Sequence, residues 1–252
     1  MSFNYLILLI TSVSVSACIS TSPGLGDKDN ESAAAYNLQL GLDYFRQGNL
    51  SMAKEKLDRS LKQNPQNAQA HAAAGLLYER LNETRKADQY YSRAVSLDPK
   101  NGDVLNTYAV FLCRRGDLAK GEQRALEAAA NQLYKTPEAA WLNAGICALD
   151  AGKLAVAEQH FRQALVTNPK LGAALLQMAM LKFNANDALL ARGFIERFHI
   201  SSHASAESLW LGVRIEQAMG NLSGAAEYAS QLQERFPNSE QARASLQPAN
   251  KK

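Results

Sequence analysis

Residues 35–67 read AYNLQLGLDYFRQGNLSMAKEKLDRSLKQNPQN, and the way this stretch repeats decides the fold. Apolar side chains recur every three to four positions on both sides of Gly48-Asn49, which is the pattern of two amphipathic helices joined by a short turn. Glycine accepts the left-handed backbone that stops a first helix. Proline at 65 removes a donor and restricts its predecessor, which stops a second. The same marks return along the chain. Gly41, Gly75, Ala109, Gly145 and Ala179 are spaced by 34, 34, 36 and 34 residues. Ala53, Ala87, Gly121, Ala157, Ala191 and Ala225 follow at 34, 34, 36, 34 and 34, with the two-residue slip in the same place. Pro65, Pro99, Pro169 and Pro237 form a third series at intervals of 34, 70 and 68. Turn dipeptides recur in step at Leu81-Asn82, Gly116-Asp117, Gly152-Lys153 and Gly220-Asn221. One insertion between the third and fourth units explains every slip, so the chain is a tandem array of closely packed helix pairs.

The marks within a unit resemble the tetratricopeptide repeat, with its W-x2-L-G-x2-Y…A-x3-F…P signature. Leu40-Gly41-Leu42-Asp43-Tyr44…Ala53…Pro65 carries the likeness in the first unit. Gly75-Leu76-Leu77-Tyr78…Ala87…Tyr91…Ala94…Pro99 carries it in the second. Trp141-Leu142-Asn143-Ala144-Gly145…Ala157…Phe161…Ala164…Pro169 carries it in the fourth. The third unit (Ala109, Gly121, Ala125) and the fifth (Ala179, Ala191, Ile195) keep fewer marks. In the sixth, Gly212 sits one residue before the place taken by Val213. The resemblance implies an all-α, right-handed superhelical solenoid of about six repeats, each touching only its neighbours. Their expected bounds are 34–67, 68–101, 102–137, 138–171, 172–205 and 206–239, with a C-terminal cap and tail over 240–252.

In that family the first helices line a concave groove through the second, fifth, ninth, twelfth and thirteenth places of each unit. Carried onto this sequence, those places hold Leu38, Leu42, Phe45 and Arg46, then Leu76, Glu79 and Arg80. The third unit supplies Asp103, Asn106, Cys113 and Arg114, the fourth Leu142 and Ile146, and the fifth Leu176 and Met180. Such an apolar groove suits an amphipathic helix or an extended segment with apolar anchors. Chaperone-binding members place Lys and Asn where Leu38 and Leu42 stand, so a C-terminal carboxylate is not the implied ligand. The competing reading of Leu38 and Leu42 is that they pack against the chain's own tether or a terminal helix.

The leader MSFNYLILLITSVSVSA, residues 1–17, has no charged side chain. Its apolar part is too short to span a hydrocarbon core of about 30 Å, which needs ~20 apolar residues. It fits a signal peptide with a small-residue cleavage site. Val15-Ser16-Ala17-Cys18 resembles the bacterial lipobox. The resemblance implies cleavage after Ala17, acylation of Cys18 and, with Ile19 rather than Asp next, delivery to the outer membrane. Two or more acyl chains suffice for stable anchoring. The Ser-, Gly-, Asp- and Pro-rich run that follows reads as a flexible tether over 18–33, reaching roughly 20 Å.

Composition excludes several functions. A formal charge of +3 without a Lys/Arg run or basic–aromatic interleaving argues against nucleic acid. His71, His160, His199 and His203 are scattered, and only the last pair has helical spacing, without a third ligand at metal-site spacing. Glu55, Glu127 and Glu158 read as solvated charge on second helices. No constellation for catalysis, metal or cofactor emerges, and the chain reads as a non-enzyme. Cys113 and Cys147 lie in the first helices of neighbouring repeats. A disulfide needs α-carbons within ~7 Å while helices pack at ~8–10 Å, so a bond requires a tilted crossing; the alternative is two small buried thiols.

A lipobox, a polar tether and six such repeats resemble the type IV pilus biogenesis pilotins (the PilF/PilW family). The stretch LLQMAMLKFNANDALLARGFIERF, Leu175 to Phe198, and Ala139-Ala140-Trp141-Leu142-Asn143-Ala144-Gly145 carry the more specific likeness. That resemblance implies a lipid-anchored protein on the periplasmic face of the outer membrane. Its partners would be secretin subunits, which it would localise and help to assemble, with no small-molecule substrate. Two other expectations share the compartment: a lipoprotein of the β-barrel assembly machinery, and an adaptor for periplasmic enzymes.

Overall fold

A computed structural model of the chain describes residues 25–246. The leader, Cys18, the start of the tether and the last six residues of the tail lie outside the described residues.

Thirteen helices follow one another among the described residues. The pairs are α1 (Leu25–Arg46) with α2 (Leu50–Gln63), α3 (Ala68–Arg80) with α4 (Thr84–Leu97), and α5 (Gly102–Arg114) with α6 (Leu118–Ala129). They continue with α7 (Pro137–Asp150) and α8 (Leu154–Thr167), α9 (Gly172–Asn184) and α10 (Ala188–Ser201), and α11 (Ala206–Ala218) and α12 (Leu222–Arg235). A short α13 (Glu240–Ser245) closes the array. Local chemistry sets these ends. The side chains of Asn49, Asn67, Asn101 and Asn221 each accept the backbone N–H three residues on, capping α2, α3, α5 and α12. At the turns the backbone becomes left-handed, with φ +77° at Gly48 and +58° at Asn82, where asparagine takes the role glycine has elsewhere.

Within a pair, the small residue of the first helix faces a large side chain of the second. A Cβ at Gly41 would fall 2.8 Å from Leu57, and one at Gly75 would fall 2.8 Å from the Tyr91 ring. Tyr91 and Phe161 are fully buried there, each such burial contributing about 1.5–3 kcal/mol. In the sixth pair the seam is kept by a joint shift. Gly212 faces Tyr228, at 2.9 Å from an added Cβ, while Val213 turns into the core.

One feature departs from the sequence expectation, and a second gives an expected insertion its role. The tether expected over 18–33 is helical from Leu25 onward, because α1 runs N-terminal to the first repeat. Once Ala34 and Leu38 are packed, each further residue adds a hydrogen bond without a new nucleation cost. The second is the insertion after α6. It lets Tyr134 fold back into a buried position against Leu105, Ala128 and Ala140, directly over Gly102. The Tyr134 hydroxyl accepts a hydrogen bond from Asn106 Nδ2 at 3.1 Å, and Asn106 Oδ1 accepts one from Asn143 Nδ2 at 2.9 Å. The repeat junction is therefore sealed by a polar chain. Close by, Cys113 and Cys147 are joined as a disulfide between α5 and α7, with α-carbons 5.5 Å apart.

Candidate functional site: the inner face of repeats one to three

The first helices of repeats one to three present side chains along one inner face. Leu38 and Leu42 of α1, Leu76 with Gln69, Ala72 and Ala73 of α3, and Asp103, Val104 and Thr107 of α5 surround a cavity of about 240 Å³. Leu38 is only 8% exposed and packs on Ala53, Leu57, Ala70 and Leu77, so it forms the floor of this trench. Leu42 and Leu76 are half-buried and form its walls. A second cavity of about 350 Å³ adjoins it through Leu76, lined also by Phe45, Glu79, Arg80, Asn82 and Arg114. Its polar wall is ordered. Arg114 pairs with Glu79 at 3.1 Å, and the Tyr91 hydroxyl donates to the other Glu79 oxygen at 3.1 Å. Burial and the neighbouring carboxylate push the Tyr91 hydroxyl far above its usual range, so it stays a donor.

The other predicted groove residues lie elsewhere on the same face. Leu142, Ile146, Leu176 and Met180 are half-buried and pack against the large core of repeats four to six. The Tyr134–Asn106–Asn143 hydrogen bonds span the junction between repeats three and four. Beyond them, Arg214 lies over the Phe183 ring, 4.7 Å from its centroid. Cys113, at a groove place by count, turns its sulfur away into the disulfide. Ala73, Val104 and Thr107 line the first cavity without having been singled out; each lies one position beyond a groove place. A count of places fixes axial position, while the helix's rotation brings both members of two adjacent pairs, Ala72 with Ala73 and Asp103 with Val104, to the cavity.

The histidines and carboxylates serve packing. His160 Nε2 lies 3.1 Å from Glu122 Oε1, and His199 Nε2 lies 3.2 Å from Ser208 Oγ. Burial and the Arg235 charge push His199 below its ordinary value. Among the described residues no three of His, Cys, Asp and Glu converge as metal ligands. Glu158, read from sequence as solvated, is held by Lys182 of the next repeat and by Arg162, both at 2.7 Å. The Lys182 hydrogen bond holds its carboxyl below the usual range, burial opposing and Arg162 adding to it.

Fold and site together define a tetratricopeptide-repeat scaffold with an apolar inner trench. Tetratricopeptide-repeat family models match residues 38–102 and 112–171, and another such model matches 90–123. The chain is 30% identical over 236 residues to the type IV pilus assembly protein PilF of Pseudomonas aeruginosa, covering 92% of this chain and 94% of that protein. The solved structure of Pseudomonas aeruginosa PilF superposes with a TM-score of 0.77 at 31% identity, covering 86% of this chain and 97% of the other. The crystal structure of PilW, described as a widely conserved type IV pilus biogenesis factor, gives 0.76 at 30% identity, covering 85% and 98%. The chain belongs to this PilF/PilW family of type IV pilus biogenesis tetratricopeptide-repeat proteins.

Proposed function

We propose that this protein is a pilotin, an outer-membrane lipoprotein that binds secretin subunits in the trench of repeats one to three and promotes their localisation and multimer assembly. The observation that carries the reading is the apolar trench formed by Leu38, Leu42 and Leu76 and extended past Leu76 to Phe45. A monomer of a ring-forming membrane protein exposes apolar surface before assembly, and a preformed trench shields such a segment at little ordering cost. Acylated Cys18 supplies the membrane address. The reading is tested by deleting the gene, restoring wild-type, Leu76→Asp or Cys18→Ser forms, and following heat-resistant secretin multimers on gels with a twitching assay. Multimers are expected with the wild type alone in the outer membrane, lost with Leu76→Asp and mislocalised with Cys18→Ser. Normal multimers and twitching in the deletion strain would overturn the proposal.

A further inference from the structure

We infer that the trench reads acidic residues as well as apolar ones, through a row of arginines along its edge. Arg46, Arg80 and Arg114 stand 34 residues apart on the last turns of α1, α3 and α5. The equivalent places in the next three repeats hold Asp150, Asn184 and Ala218. The cationic row is therefore confined to the repeats that form the two cavities, and Arg80 and Arg114 line the second of these directly. Arg46 and Arg114 are 65% and 69% exposed at the side chain, paired with Asp43 and Glu79 respectively. Among the described residues Arg80 makes no ion pair. Asp43 balances Arg46 and Asp103 lies on the wall of the first cavity, so the surplus positive charge sits at the second cavity, where Arg80 and Arg114 face Glu79 alone.

Adjacent first helices stack at ~8–10 Å, which sets the spacing of the row. The fitting occupant is a polypeptide segment with apolar anchors and carboxylates about 10 Å apart. That is every third residue in a polyproline-II-like chain, with ~3.1 Å rise and three residues per turn, or every seventh residue in a helix, with ~1.5 Å rise. Arginine suits the task because its planar fork pairs with carboxylates in a fixed geometry.

This inference rests on the trench being a polypeptide site, and the experiment separates the two claims. Random 16-residue peptides displayed on phage are selected against the purified whole chain. The same selection is run on Arg46→Glu/Arg80→Glu/Arg114→Glu and on Leu42→Asp/Leu76→Asp, each first checked for unchanged helicity by circular dichroism. Acidic–apolar peptides should be enriched on the wild type, lose about two- to fivefold in affinity for each reversed arginine, and bind more weakly as salt rises. Enriched peptides without acidic bias, bound equally by the arginine variant, would overturn the charge reading while leaving the trench. Peptides that still bind the leucine variant, or no enrichment at all, would overturn the trench reading and this inference with it.

Discussion

At Gly75 a methyl group would come within 2.8 Å of the Tyr91 ring, which is itself fully buried and cannot withdraw. Gly193, by contrast, lies on the exposed side of α10 with nothing within 4 Å of an added Cβ and an ordinary helical backbone. The same substitution should therefore have opposite signs at the two sites. Gly75→Ala is expected to destabilise by about 1–3 kcal/mol through overpacking. Gly193→Ala is expected to stabilise by about 0.5–1 kcal/mol through reduced backbone freedom. Thermal melts of the two variants check this, and a melting temperature lowered equally by both would contradict it. The periodic small residues made the first site legible in the sequence. The joint shift of Gly212 and Tyr228 was not legible, because a one-residue displacement in one helix looks like a lost mark until its partner is seen to move with it.

Elements are tied across repeats by charges and by one covalent link. Burial works against the Glu122 charge, but hydrogen bonds from His160 of α8 and from Lys153 just before that helix outweigh it and hold the carboxyl below the usual range. Glu158 is held below that range chiefly by Lys182 of α9. Both carboxyls are lower in the folded than in the unfolded chain, so their contribution is fully present above about pH 4.5 and is lost as pH falls through the depressed values. Urea unfolding from pH 6 to pH 3 should show stability falling over the acid end, with a shallower fall in Glu122→Gln/Glu158→Gln. An identical slope in the variant would show that neither contact is formed. The disulfide joins residues 34 apart in sequence, and closing a loop of that length restricts the unfolded chain by about 3–4 kcal/mol in the loop-entropy account. Cys113→Ala/Cys147→Ala should lose about 2–4 kcal/mol under oxidising conditions and match the wild type under reducing ones. Equal stability of variant and wild type in oxidising buffer would contradict the link.

Across the whole molecule, the pair boundaries were readable from sequence because caps, turns and prolines are local and repeat at a fixed period. The insertion after α6 was readable in place but not in purpose, since Tyr134 acts through Gly102 and Asn106, some thirty residues upstream. The N-terminal extension of α1 was misread because its Gly, Asp and Asn composition favours coil, whereas the packed helix behind it propagates through them. The trench was legible residue by residue through Leu42, Phe45 and Leu76, but its depth was not. That Val104 joins Asp103 at the cavity depends on the rotation of α5 against α3, which no count of places contains. The central proposal is that the inner face of the first three repeats holds another polypeptide. Its most direct test is titration of the purified secretin subunit into the wild-type protein and into Leu42→Ala/Leu76→Asp, with thermal melts confirming that the variant is folded. The account predicts binding weakened by at least about a hundredfold, the equivalent of two lost leucine contacts. Unchanged affinity in the folded variant would contradict it.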